Sequence, residues 1–351
     1  MVLLGVDPHK DTHTVVAVDA AGRQLDQTTV AARTLGHSHL IGWARARWPE
    51  RTWAVEDCRH VTGRLERDLL AAGERVVRVP PGLMAGARQA VRVRGKSDPI
   101  DALAVARAAL REPHLPAAQH DHASWEVKLL VDHREDLVAE RTRQINRLRW
   151  HLHQLNPDLE HATRRLPGPG LRRVAAWLSQ ATPRAASPVQ LGICRNQVTA
   201  ISALTGQIAE LDRQLRQRVT RLAPALLGLP GCGLLTTAKL LAETAGVARF
   251  RSEACFAMHA GVAPVPVSSG RTDRHRLSRG GNRQLNAALH RIAITQLRLP
   301  GPGRAYYQRR RAQGDATGEA VRALKRRLAR VVYQQLRAAQ TLAHTANTAT
   351  A

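Results

Sequence analysis

Four carboxylates in the first third of the chain have the types and spacing for metal-assisted phosphoryl chemistry. Asp7 ends a short apolar run, Glu56 ends another, and Asp98 and Asp101 stand three apart in an Ala-rich stretch, which places both on one face of a helix. Brought together, such a set offers hard oxygen ligands to Mg²⁺ or Mn²⁺. A pair of such ions about 3.5–4 Å apart can clamp the attacking and leaving oxygens of a phosphodiester. Each acid alone would pass for a solvated surface group. Asp7 and Glu56, however, close runs patterned as buried strands, where an unpaired carboxylate is costly.

The elements that must position these acids follow from the hydrophobic period. Residues 2–7 form an apolar strand, and 12–19 form a β-branched one. Ala20-Ala21-Gly22 then turns the chain into a third stretch at 24–30, which together predict a meander. A helix near 37–47, a strand at 53–56, a helix through Leu70 and a strand at 75–79 complete the order βββαβαβ. The implied N-terminal domain is α/β, a mixed sheet with helices on its faces. After Pro80-Pro81-Gly82, a helix from Asp98 to Leu110 carries Pro99 in its first turn, where proline is tolerated.

The middle and C-terminal regions read as mainly α-helical. Long patterns at 125–155 and 189–222 flank the break Leu166-Pro167-Gly168-Pro169-Gly170, with Leu129, Leu130, Leu137, Ile145, Leu148 and Leu152 as the expected buried stripe. An intramolecular hairpin and a coiled-coil dimer arm both fit these irregular heptads. Leu229-Pro230-Gly231-Cys232-Gly233 precedes an apolar helix; such a turn suits either a phosphate contact or an ordinary helix corner. A long polar loop at 264–281 leads to a helix capped by Asn282, and a basic helix covers about 318–339. The expected units are 1–120, 121–222 and 223–340, with a disordered tail at 341–351.

Charge is unevenly distributed. The chain of 351 residues carries +25, far more than solubility requires, and a polyanion is the economical partner. Residues 1–120 hold 17 basic and 13 acidic groups, whereas 271–351 hold 17 and 3. Genomic composition explains arginine over lysine but not this localisation. Four scattered cysteines, Cys58, Cys194, Cys232 and Cys255, make no zinc or disulfide pattern. No run of about 18 apolar residues predicts a membrane span, so the expected partners exclude a membrane and the expected location is cytoplasmic.

Taken together, these motifs carry a resemblance. Gly5-Val6-Asp7-Pro8-His9-Lys10, then Val55-Glu56, then Lys96-Ser97-Asp98-Pro99-Ile100-Asp101-Ala102 resemble, in order and spacing, those of the DEDD transposases of the IS110 insertion-sequence family. The N-terminal domain of that family is similar to the Holliday-junction-resolvase branch of the ribonuclease H fold. Leu229–Gly233, Ala260–Pro264 and the stretch from Ser269-Gly270 to Ser278-Arg279-Gly280-Gly281-Asn282 resemble the family's C-terminal transposase domain. The resemblance spans residues 1 to about 340. It implies that Asp7, Glu56, Asp98 and Asp101 are catalytic acids that bind Mg²⁺ or Mn²⁺. Asp57 is a neighbour that strand alternation points away from Glu56. His9 and Lys10 fit equally a phosphate contact and a solvated turn.

The resemblance also implies a nucleophilic serine at Ser269, leaving a phosphoserine link to DNA. A serine hydroxyl is a weak nucleophile at neutral pH and needs deprotonation or metal help, with stabilisation of charge at phosphorus. Arg271, Arg274, Arg276 and Arg279 follow closely, and Arg322, Lys325 and Arg326 lie on the basic helix; all are candidate nucleic-acid contacts. Ser268 fits the register less well, and Ser278 reads as structural. His275 and His290 have no identifiable partner and read as solvent-facing. The implied partners are DNA at the element's ends and at the target, a structured guide RNA, and further copies of the chain as a dimer or tetramer. The function expected is that of a transposase or recombinase. The rivals are a carboxylate-only junction-resolving or structure-specific nuclease, and a non-enzymatic architectural DNA-binding protein.

Overall fold

The computed structural model describes residues 1–56, 59–80, 83–84, 97–112, 115, 117–119, 121–163, 166–181, 187–267, 275–276, 278 and 281–348. β1 (Val2–Pro8), β2 (Thr12–Val18) and β3 (Gln24–Ala31) form the expected antiparallel meander. α1 (Thr34–Arg47) and α2 (Arg59–Ala71) lead to β4 (Arg51–Glu56) and β5 (Val76–Val79), which run parallel to β1. The result is one five-stranded mixed sheet in the order β3-β2-β1-β4-β5, with the predicted sequence of elements.

Alternation decides what each face of this sheet meets. Leu4, Val6, Val15, Trp53 and Val55 form one core with Leu40 and Ala44 of α1 and Leu65 and Leu69 of α2. The other face, with Leu3, Val16, Val18 and Ala54, is covered by Ala102, Val105, Ala106 and Ala109 of α3 (Asp98–Arg111). The small side chains of α3 let it settle directly on β1. At Gly5, a Cβ would run into the carbonyl oxygen of Ala102 and the amide nitrogen of Ala106, so only glycine permits this approach.

Two long helices follow, α4 (His122–Leu155) and α7 (Pro188–Leu222), separated by α5 (Pro157–Ala162) and α6 (Pro169–Gln180). They pack antiparallel within the chain. Arg134 meets Asp212 at 2.6 Å and Arg218 meets Glu126 at 3.2 Å near the base. At the tip, Ile145, Leu148 and Leu152 of α4 share a separate core with Leu171, Val174 and Leu178 of α6 and with Leu191, Cys194 and Ile201 of α7. The stripe expected along α4 needs one correction. Leu129 is exposed, and Val127 and Val131 are buried in its place, because the base of α4 packs into a different core from its tip.

That second core gathers Val127 and Val131 of α4 and Leu215 and Val219 of α7 with the C-terminal helices. These are α8 (Pro224–Leu227), α9 (Leu234–Thr244), α10 (Glu253–His259), α11 (Arg283–Arg298), α12 (Pro302–Ala312) and α13 (Thr317–Thr348). Gly231, at φ +85°, sits against α11, where a Cβ would come within 2.9 Å of the Thr295 Cβ; the Gly turn is therefore a packing corner. Asn282 caps α11 as expected, accepting from the amides of Gln284 and Leu285. The stretch expected as a polar loop contains a short antiparallel ribbon, β6 (Val265–Pro266) with β7 (His275–Arg276). α13 runs on to Thr348, beyond the expected end near Ala339 and into the stretch expected as a disordered tail. Cys194 and Cys232 are buried and free as expected, while Cys255 is only half-buried; Cys58 lies outside the described residues.

Candidate active site

Parallel pairing of β1 with β4 puts Val6 beside Val55, so Asp7 and Glu56 follow at neighbouring strand ends. Both have the parity of the face that α3 covers. Because Gly5 admits α3 so closely, its first turn reaches the same strand ends with Asp98 and Asp101. Acids in a first turn also face the positive end of the helix dipole. The sequence thus folds so that four carboxylates converge at the C-terminal ends of the two adjacent interior strands β1 and β4.

Asp7 is only 5% exposed and Asp101 is equally buried, whereas Asp98 is open to solvent. His9, just past the end of β1, places Nε2 at 3.2 Å from Asp7 and 3.2 Å from Asp98. These three groups lie close enough together to share a metal ion. Burial raises the pKa of Asp7; His9 opposes that shift, and the negative charges of Asp101 and Glu56 add to it. A buried carboxylate crowded by other carboxylates is stabilised by a cation in their midst. The donor set, oxygen-rich with one imidazole, fits a divalent ion.

Beneath β2 lies a second polar feature. His13 stacks on His37 with ring centroids 5.2 Å apart, and His37 Nδ1 lies 2.5 Å from Asp68. His13 is 1% exposed, and burial, followed by the neighbouring His37 and His9, lowers its pKa to about 4.

In the C-terminal half, Ser269, Arg271, Arg274 and Arg279 lie outside the described residues, as does Ser268. Ser268, Ser269, Arg271 and Arg274 fall in sequence between Pro266 and His275, which pair with each other, and Arg279 follows the second strand of the ribbon. The ribbon borders a cavity of about 790 Å³ whose lining includes Arg276, Ser278, Arg310, Arg322, Lys325 and Arg326. Arg276 and His275 are exposed, as is His290. Arg322 lies 3.8 Å from Glu319, and Arg326 lies 3.6 Å from Glu253. Lys325 is buried instead of projecting toward solvent, and it donates to Asn286 Oδ1 at 2.5 Å.

Sequence reasoning left His9 undecided and gave Lys325 only a surface role. A signal existed for each. His9 stands two residues past Asp7, and Lys325 falls among Val321, Leu324, Leu328 and Val332 on the apolar side of an amphipathic helix.

Residues 4–157 match the IS110 DEDD transposase model, described as a transposase. Residues 223–308 match the model described as transposase of the IS116/IS110/IS902 family. The 44.8 kDa protein of insertion element IS116 from Streptomyces clavuligerus is 30% identical over 378 residues, covering 96% of this chain and 94% of that protein. The 42 kDa protein of insertion element IS900 from Mycobacterium paratuberculosis is also 30% identical, with 96% of each covered. Among solved structures, T. thermophilus RuvC in complex with a Holliday junction substrate matches 32% of this chain and 94% of its own, at 17% identity and a TM-score of 0.27.

Proposed function

This chain belongs to the transposase family of insertion elements IS116, IS110 and IS902, and from that premise we propose that it cuts and rejoins DNA at its element's ends and at a target through two cooperating centres. It is a DNA-processing enzyme. In the first centre Asp7, Glu56, Asp98 and Asp101 hold Mg²⁺ or Mn²⁺. The observation that carries this reading is the convergence of Asp7, His9 and Asp98 within reach of one ion, beside the charges of Asp101 and Glu56. A divalent ion bound there polarises a phosphoryl oxygen and favours the ionised form of an attacking or leaving oxygen. His9 bridges Asp7 and Asp98 through one nitrogen, and so acts as a further ligand or as the group that keeps the two acids together.

The second centre is Ser269, whose hydroxyl attacks phosphorus to leave the protein joined to DNA. Arg271, Arg274, Arg276 and Arg279 neutralise the phosphates around it, with Arg322 and Arg326 at the adjoining cavity. The basic C-terminal half serves DNA and a structured guide RNA alike, since phosphate contacts dominate affinity for both. A dimer or tetramer brings the carboxylates of one subunit to the serine of another.

The test is recombination between plasmids carrying the element's ends and a target, with the flanking RNA supplied. Asp7→Ala and Ser269→Ala should each abolish joining, and only the wild type should leave protein covalently attached to DNA. Normal cutting by Ser269→Ala would instead favour a carboxylate-only nuclease.

A further inference from the structure

Five of the six tryptophans are engaged within the fold. Trp53 is buried and donates its indole N–H to Glu74 at 2.9 Å. Trp43 and Trp48 pack edge to face beside the sheet core, Trp177 packs against the core of the hairpin tip, and Trp125 lies under the Arg67 guanidinium at 5.5 Å. Trp150, near the tip end of α4, differs. It is 62% exposed. Among the described residues no arginine covers its ring and no acceptor meets its indole N–H; its ring neighbour there is the adjacent His151.

The helix that carries Trp150 changes sign along its length. From His122 to Glu140 it holds five acids against two bases, and from Arg141 to Leu155 it holds four arginines and no acid. The helix dipole favours cations within the last turn alone, where His153 is the basic residue, so it does not account for arginines at 141 to 149. Ile145, Leu148 and Leu152 sit in the tip core and fix the rotation of the helix. Arg143, Asn146, Arg147, Trp150 and His153 are therefore on its exposed face, three or four residues apart and so one above another. Arg143 meets Glu140 at 2.5 Å, whereas Arg147 makes no ion pair among the described residues. Trp150 stands nineteen residues beyond Val131, the last residue of α4 in the C-terminal core, which is about 28 Å of helix.

An open indole face among arginines matches a polymer that offers π-faces and phosphates together. A duplex keeps its bases stacked on one another, so its phosphates could meet Arg147 but nothing in it would cover the indole. We propose that the tip of the α4–α7 hairpin binds an unpaired strand of nucleic acid, with a base stacked on Trp150 and neighbouring phosphates held by Arg147 and Arg143. Asn146 and His153, above and below the ring, offer hydrogen bonds to base edges or sugars. The site is separate from the ribbon-bordered cavity, and it holds whether or not Ser269 is the nucleophile.

The experiment titrates the full chain into three labelled probes of equal length: oligouridine RNA, oligothymidine DNA and a DNA duplex. Anisotropy is read at several salt concentrations, with thermal melting measured alongside. Trp150→Ala should weaken binding of a single-stranded probe roughly tenfold or more. Trp150→Phe, which keeps a ring, should weaken it less, and neither variant should change duplex affinity. Arg147→Gln should lower the salt slope for the same probe by about 0.7. Irradiation with a 5-iodopyrimidine-substituted single strand should join the probe to the peptide containing Trp150, and Arg276→Ala should leave that cross-link intact. A tighter RNA complex assigns the tip to RNA and a tighter DNA complex to single-stranded DNA; either carries the proposal. Unchanged single-strand affinity in a folded Trp150→Ala, equal losses on single strand and duplex, or cross-links confined to the C-terminal half would overturn it. So would a Trp150→Ala chain that binds every probe as wild type does but no longer self-associates in sedimentation, because a second copy would then be the occupant of the tip.

Discussion

At the C-terminal ends of β1 and β4, inside the five-stranded sheet, charge of one sign is concentrated by backbone geometry: neighbouring strand ends supply Asp7 and Glu56, and a helix admitted by Gly5 supplies Asp98 and Asp101. Around the C-terminal cavity, charge of the opposite sign is spread over two helices and a ribbon, and several arginines are held by nearby acids. The first arrangement suits a small, hard cation, which needs ligands fixed to within tenths of an ångström. The second suits phosphates along a chain, which tolerate longer and more adaptable contacts. Rigidity is placed where the ligand is small.

Four changes would break or sharpen that contrast. Asp7→Asn should cost on the order of a thousandfold or more in joining while leaving DNA binding by the C-terminal half intact. Because burial and neighbouring acids raise the pKa of Asp7, its ionised form opposes folding at neutral pH. The same variant should therefore melt higher than wild type in chelator, by calorimetry; a lower melting temperature would contradict the crowding argument. Gly5→Val should force α3 away from β1 and cost about 3 kcal/mol, read by denaturant unfolding, with loss of metal-dependent activity although no acid is altered.

The buried histidine offers a subtler probe of the N-terminal half. His13 has its folded pKa depressed to about 4 from 6.5, so its contribution is present above the unfolded value and lost as pH falls from 6.5 toward 4. That loss amounts to roughly 3 kcal/mol at full extent, and His13→Gln should flatten it in unfolding measured against pH. Arg276→Ala, on the exposed ribbon, should have the smallest effect. It should weaken DNA binding a few-fold and reduce the salt slope by about 0.9, which titration at several salt concentrations would read.

Much of the sheet was legible because period-two runs leave little choice about what lies inside, and strand ends flagged Asp7 and Glu56. The pattern at Leu129 misled because α4 serves two cores: Val127 and Val131 point into the C-terminal one, while Ile145, Leu148 and Leu152 point into the tip. A single stripe cannot describe a helix whose partners change along its length. His9 depends on where the chain goes after β1, which no periodicity encodes. Lys325 was read by its charge, although its position among Val321, Leu324 and Leu328 was the better guide to its burial.

The hairpin of α4 and α7 has a mechanical consequence. Its base is clamped in one core and cross-braced by the Arg134–Asp212 and Arg218–Glu126 pairs, while its tip has a core of its own. A helix of 34 residues spans about 50 Å at 1.5 Å per residue. It works as a stiff lever: a tilt of about 10° at the base sweeps the tip through roughly 9 Å at that length. A force applied at the far end is delivered, with the inverse gain, to the core that the base shares with Leu324 and Leu328 of α13.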